Sequence, residues 1–425
     1  MAAVFYVLLF IAVILSSNAE TLSVVTDENG NFQITYDNQV NLSNQIDAFA
    51  NYEKNISGWD YLNLSTAIPV SIDDQIIKFR AAGILEGFLT CAELQQSYPN
   101  FYADNFGRSL PPADLLKFIE ENYNWMKTES EKYYRSSSYW LSVKSSLEQL
   151  RGVAEGYQQS PCFRQKPVGD IRIPQKSFNT DIDLSVSFNK INDVNELGML
   201  HLLLINAWGD LYTIMTKLSQ DDASLASKNE DEAWLHNYLI NRKRIFHPHS
   251  EVERDLRCSS LFKLLPNYKD IIFGHATWAS YIALAPRTFK VYTLPSASAV
   301  ETASYQVELR ANYFSSSPGV LASLDDFYVI SSPSASLAVL ETTNDIYLPK
   351  VYARITPKLS LCWMRALTAN ALATSGKSWT DTFAAFHSGT YPNQWQVLDM
   401  NLFQAGVRPG PDLFWVLEEI PGEVN

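Results

Sequence analysis

The hydrophobic pattern begins with an uninterrupted apolar run at residues 4–15. The run is too short to cross a bilayer, which needs about 20 residues. Small residues lie at the −3 and −1 positions of a cut between Ala19 and Glu20. We therefore expect residues 1–19 to be a secretory signal peptide.

Residues 20–218 are predicted to form a hairpin followed by helices. Apolar and polar residues alternate across residues 22–36 around Asn29-Gly30, a strong hairpin signal. Apolar residues recur near helical spacing in residues 71–95, which predicts a helix. Its small residues would let another element pack closely against it: Ala81, Ala82, Gly83 and Gly87.

Two further helices are predicted in this part of the chain. Residues 114–149 follow Pro111-Pro112 and have the pattern of an amphipathic helix. Residues 191–212 are apolar but contain Asp193, Glu196 and Asp210, which favours a buried helix over a membrane span. The N-terminal portion is thus predicted to be mainly helical.

Residues 219–257 form a charged linker in which acidic and basic blocks alternate. Exposed segments of this kind are where proteolysis concentrates. Residues 258–425 are β-rich, and two apolar stretches flank a turn at residues 266–270. Further strands are predicted at residues 288–294, 327–330, 337–342 and 414–418. One helix is predicted at residues 361–372.

Composition narrows the class of protein. The 425 residues carry 33 Lys and Arg against 46 Asp and Glu, a formal net charge of −13, so we expect no nucleic-acid partner. A hydrophobic content of 46% excludes wholesale disorder. Three glycosylation sequons, at Asn41, Asn55 and Asn63, follow the leader and fit a lumenal glycoprotein.

Several familiar catalytic motifs are missing from the sequence. It has no Gly-x-Ser-x-Gly elbow, no His-Glu-x-x-His motif and no phosphate-binding glycine loop. His247-Pro248-His249 lacks a third ligand nearby, so we interpret it as structural or incidental. We therefore expect neither a metal nor a cofactor.

The hairpin that begins at Cys258 brings a thiol towards an imidazole. A turn centred at residues 267 and 268 pairs residues whose numbers sum to roughly 535, which places Cys258 opposite residues 275–278. Opposed residues are about 5 Å apart, so Cys258 and His275 could meet, although a shift of one residue would reverse the faces. A buried cysteine beside a core histidine is the structural alternative.

The chain resembles the phospholipase B-like family, the lysosomal and secreted proteins related to the amoebal phospholipase B and to the laminin-ancestor protein of flies. The matches run from about residue 58 to the C-terminus in the same order. They are GWD at residues 58–60, AAGILEGFLT at 81–90, NAWGDL at 206–211, CSSL at 258–261, KLLP at 263–266, GHATW at 274–278, DDFY at 325–328, ETTN at 341–344, SGTYPNQ at 388–394 and EEIPG at 418–422.

The resemblance implies an α+β protein with the four-layer αββα fold of N-terminal-nucleophile hydrolases. Such a precursor cuts itself before a cysteine, here between Arg257 and Cys258, and its two chains stay associated. Cys258 would be the nucleophile, and its freed α-amine the general base. The expected roles are proton transfer or hydrogen bonding for His275 and lining of the pocket for Trp278.

The resemblance implies further, less specific roles and one question about length. Asn393 would stabilise an oxyanion or close a turn, while Asp325 and Asn344 are lesser candidates. The family usually has Asn where this chain has His387 and Pro392. Its members continue past the EEIPG motif, so we expect this chain to be C-terminally short.

The expected activity is removal of fatty acyl chains from phospholipids through a thioester, in the lysosome or outside the cell, with transient contact to a membrane surface. An amidase acting on N-acyl lipids and a non-catalytic lipid- or protein-binding glycoprotein are the alternatives. If Cys258 is a free nucleophile, at least one of the other cysteines is unpaired within the chain: Cys91, Cys162 or Cys362.

Overall fold

The computed structural model describes residues 19–36, 46–56, 58–164, 171–173, 191, 197–226, 257–281, 285–298 and 305–425. Most of the predicted signal peptide, the Asn41 sequon and the His247-Pro248-His249 motif lie outside these residues. Ala19 and Glu20, which flank the predicted signal cleavage, are the first two residues of a strand. Asn63 lies exposed on another strand, where a glycan could be accommodated.

The predicted α+β class is confirmed. The strands are β1 (Ala19–Thr26), β2 (Phe32–Tyr36), β3 (Ile46–Ile56), β4 (Trp59–Thr66), β5 (Ile171–Ile173), β6 (Arg257–Leu264), β7 (Ile271–Trp278), β8 (Thr288–Ser298), β9 (Gln306–Ser316), β10 (Phe327–Ser331), β11 (Ser336–Thr343), β12 (Asn393–Asp399), β13 (Phe414–Ile420) and β14 (Glu423–Val424). The helices are α1 (Ile72–Leu89), α2 (Cys91–Phe106), α3 (Ala113–Tyr133), α4 (Ser138–Gln159), α5 (Pro161–Arg164), α6 (Met199–Asn206), α7 (Trp208–Ala226), α8 (Cys362–Leu372) and α9 (Gly376–Ala384).

One large sheet joins the two parts of the chain on either side of the predicted cleavage. Its order is β14-β13-β12-β11-β10-β9-β8-β4-β3-β1-β2-β5, and β6 and β7 form a separate hairpin. β4 and β8 pair in parallel at the junction, from Asp60 with Thr288 to Ser65 with Thr293. The N-terminal and C-terminal strands therefore share one continuous hydrogen-bonded sheet.

All three helices predicted before the charged linker are divided in the structure. The segment 71–95 contains α1 and the start of α2, with the break at Thr90. The segment 114–149 contains α3 and α4, because the chain leaves helical geometry at Ser137, whose hydroxyl caps α4. The segment 191–212 contains α6 and the start of α7, with the break at Ala207. α7 continues to Ala226, so the first residues of the predicted charged linker are helical, while residues 227–256 lie outside the described residues.

Small residues allow α1 and α4 to pack in direct backbone contact, as the sequence predicted for α1. A Cβ added to Gly83 would overlap the Gln149 carbonyl, and one added to Gly156 would overlap the Ile84 carbonyl. The same holds for the other two glycines of this contact, Gly87 and Gly152. No side chain larger than hydrogen fits at these positions without moving one helix.

The two faces of the large sheet are covered differently. Buried residues of α1, α8 and α9 pack on one face, where Trp379 of α9 contacts Trp395 of β12. On the other face, Phe262 and Phe273 of the β6–β7 hairpin pack over Ala338 and Leu340. The hairpin is thereby held against the strand β11.

A disulfide joins Cys91 at the start of α2 to Cys162 in α5. Cys258 and Cys362 are free thiols, the first half-buried and the second buried. This arrangement answers the pairing that the sequence left open, and it leaves Cys258 available for chemistry.

Candidate active site

The β6–β7 hairpin has the register that the turn predicts. Cys258 pairs with Thr277, and Ser260 pairs with His275. Cys258, His275 and Thr277 are half-buried on the side that faces the large sheet, whereas Ala276 and Trp278 are exposed. The hairpin therefore directs the thiol and the imidazole to the same side.

Glu341 of β11 lies beneath this pair. The Cys258 Sγ, a ring nitrogen of His275 and a carboxylate oxygen of Glu341 lie within 4.8 Å of one another. His275 Nε2 is 3.0 Å from the Glu341 backbone oxygen and 3.9 Å from its Oε1. Three strands thus bring a thiol, an imidazole and a carboxylate together, and Glu341 is completely buried.

A second buried carboxylate, Asp326, lies next to this cluster. The Tyr391 hydroxyl donates a hydrogen bond of 2.8 Å to Asp326 Oδ2 and a longer one of 3.5 Å to Glu341 Oε1. Asp326 and Tyr391 both have positive φ, at 48° and 49°. Non-glycine residues in this region are uncommon and concentrate at functional sites.

Burial governs the protonation of these groups. Burial, followed by the neighbouring Glu341 carboxylate, raises the pKa of the Cys258 thiol, which is therefore protonated at neutral pH. Burial raises the pKa of Glu341 to about 7 and holds that of Asp326 well above its ordinary value. Burial also lowers the pKa of His275, so its imidazole is neutral.

Cys258 opens into a cavity with a largely aromatic and aliphatic wall. Its lining comes from β6, β7, the end of β11, the α6–α7 junction, the start of α8 and the loops before β10 and β12. The apolar lining residues are Trp208, Trp278, Ala279, Val320, Ala322, Leu324 and Trp363. Its polar lining residues include Asp210, Thr277, Asp326, Thr343 and Tyr391, and the second free thiol, Cys362, lines it as well.

The structure brings Cys258, His275 and Trp278 together but places the other predicted residues elsewhere. Asn393 is fully buried, its Nδ2 points to Cys362 Sγ at 3.9 Å, and it is not part of the cavity wall. Its role as an oxyanion donor stays a prediction. Asp325 pairs with Arg287 and accepts from the Ser315 hydroxyl, and the backbone N–H of Asn344 donates to the Pro392 carbonyl.

The predicted cleavage bond lies within β6. Arg257 is the first residue of that strand and pairs with Trp278, so the bond before Cys258 is held in extended backbone at the edge of the site. The departure at His387 also has a structural partner, because its Nε2 is 2.9 Å from Glu419, the buried counter-ion of Arg365.

Sequence reasoning named the segments that hold Glu341, Asp326 and Tyr391 without giving these residues a role. Glu341 is 83 positions from Cys258 along the chain, and no local spacing connects them. The sequence signal that could have identified these three residues is that each lies in a segment that matches the family.

A family model and individual relatives identify the same protein family. The family model for phospholipase B matches residues 48–185 and 182–425. Phospholipase B-like protein G of Dictyostelium discoideum is 31% identical over 381 residues, which cover 87% of this chain and 56% of that protein. Human phospholipase B-like 1 is 26% identical over 382 residues, which cover 89% of this chain and 58% of that protein. The chain therefore spans little more than half the length of these curated relatives.

Proposed function

Because the chain belongs to the phospholipase B family, we propose that it is a hydrolase that removes acyl chains from phospholipids, with Cys258 as its nucleophile. The observation that carries the proposal is the position of the thiol, which faces an apolar cavity beside His275 and Glu341. The cavity wall suits a hydrocarbon chain, and Trp278 at its rim suits a membrane surface.

The first step is cleavage of the chain before Cys258. The thiol attacks the Arg257 carbonyl carbon, and the peptide C–N bond breaks as the thioester forms, which frees the α-amine of Cys258. Water then hydrolyses the thioester to the Arg257 carboxylate and the free Cys258 thiol. The Glu341 carboxylate is adjacent to the thiol and is positioned to accept its proton. The parallel pairing of β4 with β8 supports continued association of the two chains after the cut.

The second step is acyl transfer from substrate to the thiol. The freed α-amine of Cys258, with an ordinary pKa of about 7.7–8.0, takes the thiol proton, and the thiolate attacks the acyl carbonyl. Water then releases the fatty acid from the thioester. Glu341 lies next to the thiol, and His275 orients the attacking group.

The proposal extends to the compartment and the architecture. None of the described helices is both apolar and long enough to cross a bilayer. We assign the protein to the secretory pathway, in the lysosome or outside the cell, on the basis of the leader and the sequons. In the proposed four-layer αββα fold, the β6–β7 hairpin, which packs on one face of the large sheet, would belong to the second sheet.

N-terminal sequencing of the purified chain after incubation at acidic and at neutral pH tests the first step, because the Glu341 carboxyl group, with a pKa of about 7, ionises between the two. We expect a new chain that begins at Cys258, its absence in Cys258→Ser, and its presence in Cys362→Ser, which alters the other free thiol of the same cavity. An intact chain in the wild-type protein would reject self-processing.

Release of fatty acid tests the second step. Vesicles of phosphatidylcholine and an N-acylethanolamine of the same chain length distinguish ester from amide hydrolysis. We expect release from the phospholipid by processed protein and none by Cys258→Ser. A processed protein that binds vesicles without releasing fatty acid would favour the non-catalytic alternative.

A further inference from the structure

We propose that Cys258, His275 and Glu341 form a binding site for one thiophilic divalent cation, of which Zn²⁺ fits best. The ligands are a thiolate sulfur, an imidazole nitrogen and a carboxylate oxygen. They come from β6, β7 and β11, so the fold rather than a sequence motif assembles them. This explains why the sequence gives no metal-binding spacing.

The separations suit a small closing movement around a metal ion. The three ligand atoms lie within 4.8 Å of one another. Ligands at about 2.0–2.3 Å from a tetrahedral Zn²⁺ are separated by roughly 3.3–3.6 Å, so metal binding requires the ligand atoms to approach one another by up to about 1.5 Å. Three protein ligands leave a fourth position open, and water can reach it through the cavity that Cys258 lines.

The charge around the cluster supports a cation independently of the distances. Two other buried carboxylates are neutralised by cations: Glu86 pairs with Lys290, and Glu419 pairs with Arg365. Among the described residues, neither Glu341 nor Asp326 pairs with a Lys or an Arg. Glu341 and Asp326 therefore lack the positive charge that Glu86 and Glu419 have, and a divalent ion would supply it.

Metal binding would hold the chain in its uncleaved form. A Zn–S bond forms, the thiol proton leaves to solvent, and the sulfur lone pair is no longer available to attack the Arg257 carbonyl. This consequence rests on the proposed function, whereas the binding site itself does not.

Titration of the reduced, metal-free, full chain with Co²⁺ tests the site directly. We expect one equivalent to give a thiolate-to-cobalt absorption band that Zn²⁺ abolishes by displacement. Cys258→Ser should eliminate the band. Glu341→Gln and His275→Ala should each weaken cobalt binding by at least about 10-fold. Removal of a residue that only supports a metal ligand already lowers affinity by about 10–100-fold, and these two residues are ligands themselves.

Cys362→Ser is the matched control, because Cys362 is a second free thiol on the same cavity. Its affinity should stay within about twofold of the wild-type value, and unfolding curves in chelator should show that each variant is folded. No thiolate band in the wild-type protein, or a band that Cys362→Ser removes and Cys258→Ser retains, would overturn the site.

Cleavage assays with and without Zn²⁺ separate the two proposals. We expect cleavage in chelator and its arrest by saturating Zn²⁺. An equal cleavage rate in both conditions would overturn the arrest. An intact chain in chelator, together with a Cys258-dependent cobalt band, would reject the proposed function and support the metal site.

Discussion

The Tyr391 hydroxyl donates a hydrogen bond to Asp326, and both residues have a positive φ, which residues other than glycine rarely adopt. Tyr391 comes from the loop before β12 and Asp326 from the loop before β10. The bond therefore ties together two loops that form the wall of the cavity beside Cys258.

Removing this hydrogen bond should slow self-cleavage. Tyr391→Phe leaves a buried carboxyl group without its donor, at a cost of about 1–3 kcal/mol, and releases the two loops. We expect the cleavage rate per folded molecule to fall at least about tenfold, the effect of roughly 1.4 kcal/mol in the barrier. Tyr98→Phe is the control, because Tyr98 is a buried tyrosine whose hydroxyl donates a hydrogen bond of 2.8 Å to the distant Ile191 carbonyl. Equal rates in the two variants would show that the loops need no such tie.

The glycine contact between α1 and α4 should tolerate no methyl group. Gly156→Ala places a Cβ on the Ile84 carbonyl, and overpacking of this kind costs about 1–3 kcal/mol or more. We expect a lower unfolding temperature and a lower yield of folded protein. Gly410→Ala should change neither, since a Cβ there has no atom within 4 Å. Similar melting curves for both variants would contradict the close packing.

Lys290 should matter for stability far more than an exposed lysine. Its Nζ donates to Glu86 Oε1 and to the Val320 carbonyl at 2.6 Å each, and all of its side chain is buried. Lys290→Met leaves the Glu86 charge uncompensated, so we expect a loss of about 3–5 kcal/mol in the free energy of unfolding. The double variant Lys290→Met/Glu86→Gln should recover part of that loss.

Denaturant titration measures these differences. The control is Lys377→Met, because Lys377 pairs with Asp381 on an exposed helix surface and its removal should cost less than about 1 kcal/mol. A loss of that size for Lys290→Met would mean that the buried pair contributes little.

Asp210 should make the protein less stable at neutral pH than in acid. Burial raises the pKa of Asp210 to about 6, while its Oδ1 accepts from the Cys362 amide and the Thr390 hydroxyl. A carboxyl group whose pKa is higher in the folded state favours folding most when it is protonated. Its penalty is absent below the unfolded pKa of about 3.9, grows as the pH rises, and is complete above about 6.

Asp210→Asn keeps the accepting oxygen and removes this titration. We expect the variant to gain stability relative to the wild type between pH 4 and pH 7, by up to about 3 kcal/mol. Unfolding free energies of both proteins at each pH give the difference, in which other titrating groups cancel. A difference that is constant across this range would contradict the assignment.

The sequence predicts local features of this fold well and distant ones poorly. The Asn29-Gly30 hairpin and the register of β6 with β7 follow from turn chemistry, which acts over a few residues. β3 and β4 were not predicted, since alanines supply part of the buried face of β3 and give little hydrophobic signal. The break at Ser137 was missed because apolar spacing continues across it.

The same distinction applies to the candidate site. The turn geometry brought Cys258 near His275, because both lie on one hairpin. Glu341 and Asp326 reach them only through the order of strands in the large sheet and through packing of the hairpin against β11. The spacing of residues along the chain contains no information on that order. The positions of the two buried carboxyl groups beside Cys258 are therefore known only from the structure.

The parallel pairing of β4 with β8 also determines when the large sheet can be completed during synthesis of the chain. Asn63 pairs with Val291, so the inner edge of the N-terminal strands has no partner until the ribosome has made more than 220 further residues. At ordinary translation rates this takes roughly 10–45 s. During that interval β4 presents open backbone donors and acceptors to the surroundings, and a chaperone that covers this edge would protect the nascent chain from aggregation.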